Sequence, residues 1–549
     1  MTPDLTGGLL AELAAADEPG LAVGVYAGGE LVSSAAAGCA VVEHGVRVTE
    51  HTVFDIASVS KHVTSACLLL LAADGLVELD ADIRALLPEL ALAEPVTLRQ
   101  CLTHTAGLRD YGALGDLAGI PISGITEDRF LDLVAGQRDL DFAPGSEFSY
   151  SNTGYALASV IVRRAAGTGL GAFAAERVFG PLGMRRTHFR DDVSLLVPNL
   201  AAGYLVRPGG GFRRCDVTEE LTGDGAIVTT IDDLAGWHAF MATGAGLGTG
   251  IRDALLTRGT LTAGAGPGTP IGYALGLESI ELAGHRAWWH SGSWAGYRAA
   301  VVYLPGSAAG VSVLANRDDV YPTHVALAVA AAMLTGRDAR DAYRELRGIP
   351  AAADLARRAT AAVTGLWHDP DADVFAEIAT HGDQVALLEG GERHVLTLGT
   401  DGRWHGTGAA SSACYAVRDG GLVAFWGPSE RPAGTYRRVL PEPEAAAEPL
   451  AAGLFRNDEL RADAELRPAG DGGFEIVIGL AGPRPLVPAG AGRWRSRPVA
   501  GQPGPVTVQV AGDGTALLVS VPRARRVRFD RIGRGPAGGA LPRGLSGLR

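Results

Sequence analysis

The sequence changes character about two thirds of the way along the chain. Up to about Gly348, apolar residues recur with both helical and strand periodicity. Beyond Val363 the chain consists of short alternating runs broken by Gly and Asp-Gly, which are typical of antiparallel strands in barrels or sandwiches. At 549 residues the chain also exceeds what one ordinary core supports. We therefore expect a mixed α/β (α+β) domain followed by two antiparallel β domains.

The predicted domain boundaries follow these changes in pattern. We expect the mixed domain over residues 1–345 and a first β-barrel over 346–443. A Pro/Glu/Ala-rich linker, Pro441 to Pro449, then leads into a second β-barrel over 444–533. Residues 534–549 are rich in Gly, Pro and Arg and are predicted to form a flexible tail.

Local patterns predict several elements of the first domain. Gly28 lies between two strand-like runs, which predicts a hairpin. The predicted strands are 21–27, 31–42, 271–279, 286–290, 298–304 and 310–316, and the predicted helices include 4–17 and 322–335.

Composition and charge exclude several classes of partner. The net charge is −13 and no basic stretch is long enough to follow a phosphate backbone, which argues against nucleic acid. The longest apolar stretch, Cys67 to Ala73, is too short to span a membrane. The N-terminus lacks the pattern of a secretory signal, so we expect a cytoplasmic protein acting on a small molecule or short peptide.

We expect no metal and no cofactor. The five cysteines are scattered, odd in number and without metal-ligand spacing, which argues against both a disulfide framework and a zinc site. The run from His368 to Asp373 is rich in carboxylates, but it lacks the Gly and terminal Glu of a calcium loop. We predict that it forms a solvated turn.

One lysine is present among the 48 basic residues, and it lies three residues after a serine. On a helix this spacing places Ser58 and Lys61 on one face, as a serine nucleophile and an activating amine require. Arg stays protonated in proteins, whereas Lys can lose its proton and act as a base. Ser60 is a rival that would point away from this face, and Cys67 and Cys101 have no base beside them.

Two further stretches carry candidate residues, and each is weak alone. A Pro-Gly turn delivers Tyr150 and Asn152 on a loop that precedes a predicted helix. His290 and Gly292 occur at the end of a predicted strand. A histidine next to tryptophans more often belongs to a packed core than to a catalytic site, and that alternative stays open here.

Together, Ser58-x-x-Lys61, Tyr150-x-Asn152 and His290-x-Gly292 occur in the order and spacing of a known superfamily. The chain resembles the serine β-lactamases and penicillin-binding proteins over about residues 10–340, and most of all the branch of class C β-lactamases and DD-peptidases. The resemblance implies an antiparallel sheet flanked by a helical subdomain. Where β-lactamases carry Lys-Thr-Gly, this chain has a histidine, as D-aminopeptidases, D-amino-acid amidases and esterases of the superfamily do. D-aminopeptidases of this kind also carry two C-terminal β-barrels, of which the first is expected to be lipocalin-like.

The resemblance also implies a role for each site residue. Ser58 would form an acyl-enzyme, with Lys61 and Tyr150 moving the proton and His290 bonding to Tyr150 or the substrate. Asn152 would orient Lys61 and the substrate amide, and Gly292 would lie beside the substrate. The backbone N–H groups of Ser58 and Ser293 would form the oxyanion hole.

Several functions are compatible with these residues. The favoured one is hydrolysis of small amides or peptides, of the D-aminopeptidase or D-amino-acid amidase type. An esterase, or an acyltransferase or peptide cyclase in a biosynthetic pathway, would use the same acyl-enzyme. A non-enzymatic sensor would be acylated once and remain so. The sequence is compatible with a homodimer and leaves the oligomeric state open.

Overall fold

The computed structural model describes most of the chain between residues 6 and 533. The residues outside the description are 1–5, 208–209, 263–268, 347–358, 382–383, 390–391, 399–402, 407–412, 427–431, 440–449, 471–472, 480–481, 491, 498–504, 512–513 and 534–549. The predicted linker and the predicted tail lie among these residues, whereas the predicted boundary at residue 346 falls at the C-terminal end of a described helix, Ala339–Leu346.

The first domain combines strands with helices. Its strands are β1 Leu21–Ala27, β2 Glu30–Ala37, β3 Cys39–Val41, β4 Val46–Arg47, β5 Phe54–Asp55, β6 His188–Phe189, β7 Tyr204–Val206, β8 Phe212–Arg214, β9 Ile227–Thr229, β10 Thr260–Leu261, β11 Thr269–Pro270, β12 Glu278–Leu282, β13 His285–Trp294, β14 Tyr297–Leu304 and β15 Ala309–Ala315. Its α-helices are α1 Gly7–Leu13, α2 Lys61–Ala73, α3 Leu98–Leu102, α4 Tyr111–Ala118, α5 Glu127–Ala135, α6 Thr153–Ala166, α7 Leu170–Ala174, α8 Ile231–Thr243, α9 Thr249–Leu255, α10 Pro322–Thr335 and α11 Ala339–Leu346. Short 3₁₀ or π turns cover Val42–His44, Ala57–Ser60, Ile83–Ala85, Ile122–Gly124, Ala175–Phe179 and Pro305–Ser307.

The core of this domain is an antiparallel sheet in the order β12-β13-β14-β15-β1-β2. Side chains alternate across β1, so that Val23 and Val25 face one apolar cluster and Ala22 and Tyr26 face another. Helix α10 packs on β14 and β15, whereas α8 packs on β1, β2 and β15. The sheet is therefore covered on both faces, with α2 and the other helices of the site on the α8 side.

Two predicted elements differ from the structure. The predicted helix at 4–17 is wrong in extent, because α1 ends at Leu13. The predicted strand at 271–279 is wrong over most of its length, since only β12 begins there, at Glu278. Gly276 has φ +85° and lies so close to α2 that a Cβ atom would be 2.6 Å from the backbone nitrogen of His62. Tight packing against α2 thus replaces strand pairing.

Each half of the C-terminal region forms a closed barrel of eight antiparallel strands in the described residues. The first contains β16 Gly365–Asp369, β17 Val374–His381, β18 Gln384–Glu389, β19 Glu392–Leu398, β20 Trp404–Gly406, β21 Ala413–Arg418, β22 Gly421–Trp426 and β23 Pro432–Arg438. The second contains β24 Gly453–Asn457, β25 Ala462–Pro468, β26 Phe474–Ile478, β27 Arg484–Gly490, β28 Arg493–Ser496, β29 Thr507–Ala511, β30 Ala516–Val521 and β31 Ala524–Gly533. The predicted fold class is confirmed.

The second barrel packs directly on the first domain. Its interior, including Phe455 and Phe529, is continuous with the apolar core around α2 and α6. The turn between β30 and β31 is fixed by backbone bonds, since Asp110 N donates to the carbonyl oxygen of Arg523 (2.9 Å) and Arg525 N donates to Asp141 Oδ1 (2.8 Å). This turn therefore has a defined position against the loops that precede α4 and α6.

Candidate active site

Ser58 and Lys61 lie together at the start of α2. Ser58 belongs to the 3₁₀ turn Ala57–Ser60, and Lys61 is the first residue of the α-helix. The Lys61 Nζ atom lies 3.0 Å from Ser58 Oγ, as the three-residue spacing predicts. Lys61 is fully buried, whereas Ser58 is partly exposed and lines a pocket. A solvent-accessible hydroxyl thus has an amine within hydrogen-bond distance.

The rival nucleophiles are buried away from this pocket. Ser60 has no exposed surface, and its hydroxyl oxygen accepts a hydrogen bond from the backbone N–H of Ile227 (3.1 Å). Burial raises the pKa of the Cys67 thiol, and it raises that of Cys101 to about 12. Neither thiol is therefore suited to form a thiolate at neutral pH.

Lys61 is held by groups from several elements. Its Nζ atom donates to the carbonyl oxygen of Asp224 (2.6 Å) and lies 5.1 Å from the ring centroid of Tyr150. These described bonds run to Ser58 and Asp224 rather than to Asn152, contrary to the expected contact. The Asn152 Oδ1 atom is instead buried without a hydrogen-bond partner, and the residue lines the pocket. An unpaired buried acceptor is costly and fits a donor from a ligand.

Tyr150 is positioned by the loop that contains His104. The backbone N–H groups on either side of Tyr150 both donate to His104: Ser149 N to its carbonyl oxygen (2.9 Å) and Ser151 N to its Nδ1 atom (3.2 Å). The two rings also pack together, with centroids 4.2 Å apart. Since Nδ1 accepts a hydrogen bond, the imidazole is uncharged there, and burial holds the pKa of His104 well below its usual range.

His290 lies near Tyr150 but bonds to another tyrosine. Its Nε2 atom is 2.9 Å from Tyr273 Oη, and its Nδ1 atom is 2.6 Å from the carbonyl oxygen of Ser291. A carbonyl oxygen can only accept, so Nδ1 carries the proton and Tyr273 donates to Nε2. Burial, together with the charge of Lys61, lowers the pKa of His290 to about 3. The expected bond from His290 to Tyr150 is replaced by the bond to Tyr273, and the imidazole is neutral.

Gly292 brings strand β13 against the nucleophile turn. A Cβ atom at this position would lie 2.0 Å from the carbonyl oxygen of Ile56, so that only glycine permits this approach. Ser293, the next residue, lines the pocket with Ser58. The sequence-predicted oxyanion donors, the backbone N–H groups of Ser58 and Ser293, thus belong to two segments that pack against each other.

The pocket beside Ser58 is acidic. It has a volume of about 90 Å³, and its described lining includes Asp55, Glu219 and Asp224 and contains no Lys, Arg or His. The Trp294 indole N–H donates to Glu219 Oε2 (3.0 Å). Burial raises the pKa of Asp55 to about 6, and burial also raises that of Asp224, although the charge of Lys61 opposes this. The described lining thus carries carboxyl groups and no basic residue, and the Lys61 amine lies next to it, 3.0 Å from Ser58 Oγ.

Sequence reasoning missed these carboxylates and one basic residue. Two of the carboxylates had a local signal in the sequence. Asp55 lies three residues before Ser58, and Asp224 lies between two glycines. Glu219 has no distinctive local pattern. Arg523 comes from the second barrel, and its guanidinium carbon lies 5.2 Å from the ring centroid of Tyr150. No local pattern could have placed Arg523 at this site, because it is brought there by domain packing.

Neither a metal cluster nor a membrane-spanning helix occurs in the described part of the chain. No group of three or more His, Cys, Asp or Glu side chains with the geometry of a metal site occurs among the residues described. No described helix combines the length and apolar character needed to cross a membrane.

Comparisons with known proteins agree with this architecture. The D-aminopeptidase of Cereibacter sphaeroides is 27% identical over 528 residues, covering 94% of this chain and 96% of that protein. The D-aminopeptidase of Gluconobacter oxydans is 28% identical over 472 residues, covering 84% of each chain. Among solved structures, the octameric penicillin-binding protein homologue from Pyrococcus abyssi matches with a TM-score of 0.53 and 22% identity, over 76% of this chain and 96% of that one. This likeness concerns the fold.

A family model described as Beta-lactamase matches residues 8–334. The match covers more than half of the chain and includes the nucleophile turn, the Tyr150 loop and strand β13. The chain therefore belongs to the beta-lactamase family.

Proposed function

We propose that this protein is a serine hydrolase of the D-aminopeptidase or D-amino-acid amidase type. The observation that carries the proposal is the acidic pocket beside Ser58, lined by Asp55, Glu219 and Asp224. Substrates of an aminopeptidase carry a free ammonium group next to the carbonyl that is attacked. Carboxylates near the nucleophile stabilise such a group, whereas they repel a substrate carboxylate.

The His290-x-Gly292 motif also favours a substrate with an ammonium group over one with a carboxylate. A β-lactam or a peptide C-terminus presents a carboxylate, which a lysine at the position of His290 would hold. Here the imidazole is neutral and both of its nitrogens are bonded within the protein. Turnover of β-lactams is therefore not expected.

In the proposed mechanism, Ser58 Oγ attacks the substrate carbonyl and forms a tetrahedral intermediate. Lys61 takes the hydroxyl proton across the 3.0 Å contact. The carbon–nitrogen bond then breaks, and the leaving amine receives the proton through Tyr150. Water hydrolyses the resulting ester, which releases the acid and restores Ser58.

Two features of the site would stabilise this reaction. Backbone N–H groups of Ser58 and Ser293 would bind the developing oxyanion, each contributing about 3 kcal/mol. The unpaired Oδ1 atom of Asn152 would accept a hydrogen bond from an N–H group of the substrate. The preference for D-residues is supported by the D-aminopeptidases that this chain resembles along almost its full length.

We further propose a cytoplasmic location and assembly as a homodimer. All five cysteines are free, which fits a reducing compartment. The similar protein from Pyrococcus abyssi is an octamer, which is a property of that protein and supports only the general capacity of this fold to assemble.

The acidic pocket is tested with a pair of substrates that differ in one charge. D-Alanine p-nitroanilide should be hydrolysed at least about 100-fold faster, in kcat/KM, than its N-acetyl derivative, because acetylation removes the ammonium group. Glu219→Gln should reduce this ratio about tenfold, mainly through KM. The matched control is Glu220→Gln, an exposed neighbour that bonds to Val193 N. Equal rates for the two substrates would contradict the proposal.

A further inference from the structure

The second barrel contributes a cation to the active site. Arg523 lies at the turn between β30 and β31, with its guanidinium carbon 5.2 Å from the ring centroid of Tyr150. Its backbone has φ +67° and is anchored through its carbonyl oxygen to Asp110 N. Arg525, two residues on, is bonded to Asp141 through its backbone and to Glu147 through its side chain (3.0 Å). The position of the turn thus depends on contacts other than the guanidinium.

Arg523 and the acidic pocket differ in charge and in their neighbours. Arg523 is not part of the pocket lining and instead borders Tyr150, which also lies 5.1 Å from Lys61 Nζ. In the proposed mechanism Tyr150 delivers the proton to the leaving amine. On that mechanism the leaving group would depart on the Tyr150 side, beside the guanidinium, and the acyl group would lie on the side of the carboxylates.

The guanidinium group retains the capacity to bind an anion. Its described ion pair, with Asp110 Oδ2, has a separation of 3.9 Å, which is too long for a hydrogen bond, and the side chain is 40% exposed. The Asp110 carboxylate is already bonded to the backbone N–H groups of Gly112 (3.0 Å) and Asn152 (2.8 Å). Guanidinium donors match a carboxylate in a planar, bidentate geometry.

We propose that Arg523 binds the carboxylate of the leaving residue, so that the preferred substrates are dipeptides with a free C-terminus. This inference rests on the proposed function. In a dipeptide the terminal carboxylate lies about one residue, roughly 3.5 Å, beyond the scissile bond. In a tripeptide it lies another residue further away, and in an amide the charge is absent. Arg523 would thus select both the length and the charge of the leaving group.

The test compares two substrates that share the same acyl group, D-alanylglycine and D-alanylglycinamide. The wild-type protein should hydrolyse the dipeptide about tenfold faster, in kcat/KM, than the amide. Arg523→Gln should bring this ratio close to one, and Arg523→Lys should retain part of it. The matched control is Arg528→Gln, because Arg528 is a 54% exposed residue of β31, the strand that follows the turn, and pairs with Asp530. It should leave the ratio unchanged.

The outcomes separate this inference from the proposed function. A ratio near one in the wild type, or a ratio that Arg523→Gln leaves unchanged, would overturn the role of Arg523. If D-alanine p-nitroanilide is hydrolysed in those cases, the proposed function is retained. If none of the three substrates is hydrolysed, both are contradicted.

Discussion

Lys61 is the residue whose chemistry no other side chain of this protein can supply. It is fully buried, contacts Ser58 Oγ and is the single lysine of the chain. An arginine at this position would carry a permanent charge and a larger head group, and it could not take the hydroxyl proton. The network around Ser58 thus depends on a group that can lose its proton.

Lys61→Arg should lower the rate of acylation of Ser58 by at least about 1,000-fold. The measurement is the appearance of the acyl-enzyme mass after mixing with an activated ester. Arg177→Lys is a suitable control, since Arg177 pairs with Asp74 on the surface. Acylation of Lys61→Arg at the wild-type rate would mean that Tyr150 alone activates the serine.

The Asp55 carboxyl group, which bonds to the nucleophile turn, should make the stability of the protein depend on pH. Its Oδ1 atom accepts a hydrogen bond from Ala57 N (2.7 Å), and Ala57 has φ +47°, a conformation that is unfavourable for alanine. Burial raises the pKa of Asp55 from 3.8 to about 6. When folding raises the pKa of a carboxyl group, its contribution to stability is fully present below the pKa that it has in the unfolded chain, about 4. That contribution is lost as the pH rises through about 6.

Asp55→Asn should therefore stabilise the protein relative to the wild type as the pH rises from 4 to 7.5. The asparagine Oδ1 atom can still accept the Ala57 bond, and the expected gain is at most roughly 3 kcal/mol. The difference in Tm between variant and wild type, measured at both pH values, checks this. A difference that does not depend on pH would show that Asp55 is not the titrating group.

At the scale of elements, the approach of β13 to the nucleophile turn governs the geometry of the site. Gly292→Ala should lower kcat by about 100-fold or more, because the new Cβ atom must move away from the Ile56 carbonyl oxygen and shift Ser293. Ser291→Ala is the control, since Ser291 contributes a backbone carbonyl to His290. Steady-state rates on a p-nitroanilide measure both. Unchanged kcat in Gly292→Ala would contradict the assigned oxyanion hole.

The elements set by local pattern were predictable from the sequence. The hairpin β1–β2, the pair β14–β15 and helix α10 occur where periodicity and turn residues place them. The contact between Ser58 and Lys61 was predictable for the same reason, since it depends on a spacing of three residues within one helical turn. The segment 271–277 was not, because its conformation is set by contact with α2.

Contacts between distant segments were beyond sequence reasoning. Lys61 meets Asp224 over 163 residues of sequence, and Tyr150 meets Arg523 across a domain boundary. The turn predicted at His368–Asp373 is present, but the prediction that it is solvated is wrong for the same reason. Asp373 is buried, and it pairs with Arg493 of the second barrel (2.7 Å) and accepts a bond from Ser520 (2.9 Å).

At the scale of the whole molecule, Asp373 joins the two barrels. Burial raises its pKa, but the hydrogen bonds from His368, Ser520 and Arg493 outweigh burial and hold the pKa at about 2. The stability that this carboxylate contributes is thus present above its unfolded pKa of about 4 and is lost as the pH falls toward 2. At neutral pH the ion pair between Asp373 and Arg493 therefore stabilises the contact between the two barrels.

Asp373→Asn should destabilise the barrel pair by about 3 kcal/mol, because it removes the negative charge from the buried ion pair with Arg493. Asparagine tolerates the left-handed backbone at this position (φ +54°), so the charge is the main change. Calorimetry and limited proteolysis measure the effect. The control Asp463→Asn removes an exposed pair with Arg456 and should cost less than about 1 kcal/mol. Equal effects of the two variants would contradict this role.

The most direct test of the proposed function is the initial rate on D-alanine and L-alanine p-nitroanilides, measured side by side with Ser58→Ala as the blank. We expect hydrolysis that depends on Ser58 and prefers the D substrate. A preference for the L substrate, or hydrolysis that persists in Ser58→Ala, would contradict the assignment of Ser58 as the nucleophile of a D-aminopeptidase.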